Sequence, residues 1–159
     1  MKKKAASPST ESPAKRLAGF IAKFDPAVAA LIRSAQRALR KRLRTANILV
    51  YDNYNFLAIG FCSTERTSDC LVSLAAYAKG VSLFFYYGAR LDDPHRILQG
   101  GGKRVRFIRL ERAATLGNPD VEALLGAATA QAKMPLPTAG RGRLIIKSVS
   151  VKQRPRRSA

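Results

Sequence analysis

Between Asp25 and Leu43, apolar residues recur as Val28, Leu31, Ile32, Ala35, Leu39 and Leu43, close to one α-helical turn apart. Asp25 suits an N-cap and Pro26 is pre-shaped for the first helical position, so the pattern predicts a helix opening there. From Asn47 the texture changes to short apolar runs at Ile48–Tyr51, Phe56–Cys62, Leu71–Tyr77 and Val81–Tyr87. Polar breakers separate them at 52–55, at 63–69 and at Lys79-Gly80. These runs predict strands, and their connections are too short for helical crossovers, so an antiparallel meander is expected. A fifth strand is expected at Val105–Leu110, after a loop that contains Asp92, Asp93, Pro94 and three consecutive glycines. Asn118-Pro119-Asp120 opens a second helix over roughly Val121–Ala132, which Pro135 and Pro137 stop. β-branched residues in Leu144–Lys152 predict a late strand at a sheet edge.

Helix, run of strands, helix is the order of an α+β fold, with two helices covering one face of an antiparallel sheet of about five strands. Residues 1–16, rich in Lys, Ser, Pro and Ala without apolar periodicity, predict a disordered basic arm. The folded domain is expected over 17–135. Residues 136–159 form a basic extension whose last stretch, Gln153 to Arg157, reads as too charged to pack.

Charge changes this picture most. The chain of 159 residues has 29 Lys and Arg against 10 Asp and Glu, a net charge of +19. Both ends are basic, but so is the middle. In the first helix Arg33, Arg37, Arg40 and Arg44 follow one another at helical spacing, widened by Lys41 and Arg42, with no acid after Asp25. Such a field attracts polyanions. A helical stripe of this kind can lie along a phosphate backbone, where each neutralised phosphate releases counterions.

Other motifs are weaker. Gly100-Gly101-Gly102-Lys103-Arg104, followed by Arg106, could form an anion nest from backbone N–H groups and cations. It is not a Walker loop, since Ile97 stands where the first glycine belongs and Arg104 where Ser or Thr belongs. Phe84, Phe85, Tyr86 and Tyr87 alternate in facing, so one pair belongs to the core. The other pair, with Tyr51 and Tyr54, could line a pocket; Phe84 and Tyr86 are its candidates on this strand. His95 lies in a polar loop without a nucleophile motif, and Asp92 and Asp93 read as turn residues. Cys62 and Cys70 flank one hairpin loop; they are too few for a zinc site and are expected as two small buried residues. No metal or cofactor is expected, no catalytic set can be assembled, and no stretch is apolar enough to span a membrane, so a cytosolic location is expected.

Val50-Tyr51-Asp52 with Tyr54-Asn55, Val72-Ser73-Leu74, Tyr77-Ala78, Val81-Ser82-Leu83, and Leu98 with Gly100 to Arg106 resemble the YdhG-like domain-of-unknown-function family. The resemblance spans roughly 25–132. It implies a helix–sheet–helix sandwich similar to frataxin, and, for some members, a part in iron delivery. Hard iron ions prefer carboxylate ligands, and here the first helix carries the opposite charge. Candidate carboxylates for that alternative are Asp52, Glu65, Asp69, Asp92 and Asp93. The reading that follows is a binding domain for an anionic partner, nucleic acid foremost, ahead of small-molecule or iron binding and of an enzyme.

Overall fold

Ser12 ends an irregular stretch by accepting a hydrogen bond from the Lys15 N–H through its hydroxyl, and Pro13 occupies the first helical position behind it. This pair opens a helix in the computed structural model, which describes residues 10–158. That helix, α1 (Pro13–Ala22), overturns the disordered reading for residues 13–16; residues 1–9 lie outside the described residues. Leu17 and Ile21, one turn apart, are buried, and Phe24 follows them into the core. The second helix, α2 (Pro26–Arg42), opens at the Pro26 that the sequence marks and buries Ala29, Ile32, Ala35 and Leu39.

Five strands follow as an antiparallel meander: β1 (Asn47–Asp52), β2 (Leu57–Cys62), β3 (Cys70–Tyr77), β4 (Gly80–Phe85) and β5 (Arg106–Leu110). A third helix, α3 (Pro119–Ala130), and a last strand, β6 (Leu144–Val149), complete the fold. The six-stranded sheet has the order β5-β4-β3-β2-β1-β6, with β6 parallel to β1, the one non-antiparallel pair. The class is thus α+β, with three helices and six strands where two helices and about five strands are expected.

Alternation along the strands gives the sheet two unlike faces. Ile48, Val50, Leu57, Ile59, Phe61, Val72, Leu74, Leu83 and Phe85 point to one face and form a single core with side chains from all three helices. The other face carries no helix. Its central floor is small, Ala58, Gly60, Ser73, Ala75 and Ser82, and Phe84 stacks there on Phe107 with ring centroids 5.1 Å apart.

The end of the chain is not a loose tail. The Ile48 N–H donates to the Arg143 carbonyl, and the Gly142 N–H to the Arg44 carbonyl, which ties β6 to the start of β1. A Cβ on Gly142 would fall 1.6 Å from the Ala46 carbonyl oxygen, so only glycine permits this approach. After β6, Ser150 and Arg154 donate backbone hydrogen bonds to the Asp52 and Tyr54 carbonyls. Arg156 then enters the core at 3% side-chain exposure, overturning the expectation that this stretch cannot pack. Its Nη2 donates to Asp52 Oδ1 at 2.9 Å and to the Asn53 carbonyl at 2.6 Å, while its guanidinium lies over the Phe24 ring. Lys23 holds the other Asp52 oxygen at 2.6 Å. Asp52 is fully buried; burial would raise its pKa, but hydrogen bonds from Lys23, Gln153 and Arg156, with the Lys23 charge, outweigh it and hold the carboxyl below its ordinary value.

Candidate nucleic-acid interface

On α2 the core positions turn Arg33 and Arg37 to the outside, with Lys41 and Arg44 beyond them; all four are exposed and Arg40 is half-buried. None of the five has a hydrogen bond or ion pair through its side chain among the described residues. Five of the ten acids form ion pairs elsewhere: Glu11 with Lys15, Asp25 with Arg157, Asp52 with Lys23 and Arg156, Glu65 with Arg143, Glu111 with Arg109. On the helix itself only Arg42, which widens the stripe in sequence, is neutralised, by Glu122 of α3 at 2.8 Å. Of the remaining cations, Arg40 and Lys41 lie in the last turn of α2, where the partial negative charge of the helix terminus favours them.

No hydrogen bond links the Gly100–Arg106 segment to α2 among the described residues. The Gln99 and Phe107 backbones exchange both hydrogen bonds, closing the segment into a loop at the outer edge of β5. Arg106 donates through Nη1 to the Gly102 and Val105 carbonyls. It therefore fastens the loop from inside through Nη1. Lys103 and Arg104 stay exposed. The Arg104 carbonyl accepts from the Ala89 N–H, so the loop is held to the Gly88–Arg90 turn, whereas α2 packs over β3 and β4.

Of the aromatic candidates, Tyr51 and Tyr86 share the helix-free face with Leu49, Cys62 and Cys70, and Phe84 stands on that face beside Phe107. The Tyr51 hydroxyl pairs with the Thr67 hydroxyl of the loop that caps this end. Tyr54 belongs elsewhere: it lies in the β1–β2 loop under the Arg154 guanidinium. Cys62 and Cys70 face each other across β2 and β3, both buried and free. Burial, then the neighbouring Cys62, pushes the Cys70 thiol well above its ordinary pKa, and burial likewise raises the Tyr86 phenol. A thiol kept protonated is a poor nucleophile.

His95 Nδ1 lies 2.7 Å from Asp120 Oδ1, a surface pair with no hydroxyl or thiol bonded to it among the described residues. Asp93 accepts from the Ile97 and Leu98 N–H groups, shaping the turn. Asp69 accepts from the Thr64 hydroxyl. The carboxylates considered for metal are thus scattered. Among the described residues no group of three or more His, Cys, Asp or Glu converges on a metal-sized site. Nor is any of their helices long and apolar enough to cross a membrane.

Comparison of the chain with protein-family models, with curated proteins and with solved structures gives no match.

Proposed function

We propose that this chain is a non-enzymatic binding domain for an anionic polymer, nucleic acid foremost, engaged through the outer side of α2. The supporting observation is the row Arg33, Arg37, Arg40, Lys41 and Arg44 on one ordered helix, none of them matched by an acid among the described residues. A cytosolic location goes with this reading. The YdhG-like resemblance, and a frataxin-like packing with it, belong to the same proposal, supported by helices on one face of a mainly antiparallel sheet.

Contacts from guanidinium and ammonium groups to phosphates position a protein without reading bases, so sequence preference is expected to be weak. If all five cations meet phosphates, log affinity for duplex DNA falls with log salt at a slope of about −4.5, a loss of roughly 500-fold between 50 and 200 mM salt. A filter-binding titration of random-sequence oligonucleotides over that range tests this. Steep, sequence-tolerant loss of binding with salt supports the proposal, and no binding at low salt overturns it.

A further inference from the structure

A second positive site lies at the opposite end of the sheet from the Asp52–Arg156 pair, and no sequence motif marks it. The ends of β3 and β4, the Ser63–Asp69 loop, the Gly88–Arg90 turn and the residues closing α3 enclose a cavity of about 580 Å³. Its lining is mixed: Leu91 and Met134 give apolar surface over the buried Leu71 and Phe85, and Thr64, Ser68 and Gln131 give polar surface. Its mouth carries Arg66, Arg90 and Lys133, all exposed and none with a side-chain partner among the described residues. Tyr87 braces the wall: its hydroxyl donates to the Ser68 carbonyl at 2.6 Å, and its own carbonyl accepts from Gln131 Nε2 at 3.0 Å. The cavity therefore belongs to ordered elements.

The electrostatic balance has two opposing contributions. Asp69 lines the cavity, and the end of α3 adds a partial charge of about −0.5. Three cations exceed both. The Asp69 carboxylate is further occupied by the Thr64 hydroxyl at 2.7 Å. Small-ligand sites are mostly concave and apolar, about 300–1,000 Å³, with a few polar groups that fix orientation. This cavity has that size, with polar and apolar surface in about equal parts.

We propose that the cavity binds a small organic anion with an apolar body, its carboxylate, sulfonate or phosphate at Arg66, Arg90 and Lys133 and its apolar part against Leu91 and Met134. The site is separate from the α2 row and does not depend on nucleic-acid binding.

The full chain titrated with 8-anilinonaphthalene-1-sulfonate, and in parallel with its uncharged analogue N-phenyl-1-naphthylamine, tests the assignment by fluorescence. The sulfonate is expected to bind at one site per chain, to be displaced by decanoate or phenyl phosphate, and to bind more tightly than the neutral probe. The double variant Arg66→Gln, Arg90→Gln should weaken sulfonate binding about tenfold or more while leaving the neutral probe unchanged. Both side chains are exposed, and an unchanged thermal midpoint checks that the fold is intact. The variant Arg33→Gln, Arg37→Gln, Arg44→Gln should bind the sulfonate as the parent does. The proposal is overturned by equal binding of the two probes, by full affinity in the Arg66, Arg90 variant, or by loss of sulfonate binding in the α2 variant instead.

Discussion

Replacing Arg156 by Ala removes a cation that is 3% exposed and that binds a fully buried carboxylate from 104 residues away in sequence. Removing one partner of a buried ion pair costs about 3–5 kcal/mol, because the remaining charge stays desolvated. Three features place this case. Lys23 keeps its 2.6 Å contact with the second Asp52 oxygen, which lowers the cost. The Asn53 and Tyr54 carbonyls lose their guanidinium donor and Phe24 loses its cover, which raise it. The Arg156 Nε has no acceptor among the described residues, so the native arrangement is itself not fully satisfied. The first and last of these place the net loss near the lower end, about 3 kcal/mol. For a domain of this size that corresponds to a fall in Tm of roughly 6–12 °C. Guanidinium chloride unfolding followed by circular dichroism measures it, with the Arg156→Lys variant falling between parent and Ala because charge survives but the planar fork does not. A loss below about 0.5 kcal/mol, the ordinary effect of a surface substitution, would show that the tail is not part of the fold.

The same carboxylate sets an acid limit. Its pKa in the folded chain lies below the unfolded value of about 3.9, so its contribution is present above that value and is lost as pH falls through the folded pKa. Thermal melts from pH 7 downward should show Asp52→Asn less stable than the parent at neutral pH and less sensitive to acid below about pH 4; parallel curves would refute the assignment. Gly142→Ala places a Cβ 1.6 Å from the Ala46 carbonyl oxygen, so β6 must shift from β1 at a cost of about 1–3 kcal/mol or more. Amide exchange at Ile48, whose N–H is bonded to the Arg143 carbonyl, should quicken in that variant, and unchanged protection there would contradict the close approach.

What the sequence shows and hides follows from the range of each signal. The meander is legible because each strand is a short apolar run and each breaker is local, as with Lys79-Gly80 at the start of β4. The second helix is legible because cap, proline and period agree from Asp25 onward. The first helix has the same signs, Ser12-Pro13 with Leu17, Ile21 and Phe24, but they sit inside a Lys-, Ser- and Pro-rich stretch whose average composition resembles a disordered arm. The docked tail could not be read locally. Arg156 looks like its solvated neighbours, and only the register that leaves Asp52 buried at the end of β1 gives it a partner. In the Gly100–Arg106 motif the bonds from Arg106 Nη1 to carbonyls of its own loop are likewise invisible in the sequence. Arg66, Arg90 and Lys133 come from three segments, and each alone is an ordinary loop cation.

The α2 row is tested most directly by comparing salt dependence in the parent and in the Arg33→Gln, Arg37→Gln, Arg44→Gln variant on one duplex oligonucleotide. Each phosphate contact adds about 0.9 to the slope of log affinity against log salt, so losing three should flatten it by about 2.7. Weaker binding with that flatter slope is the predicted result. Two parallel lines of equal affinity would show that α2 is not where the chain meets nucleic acid.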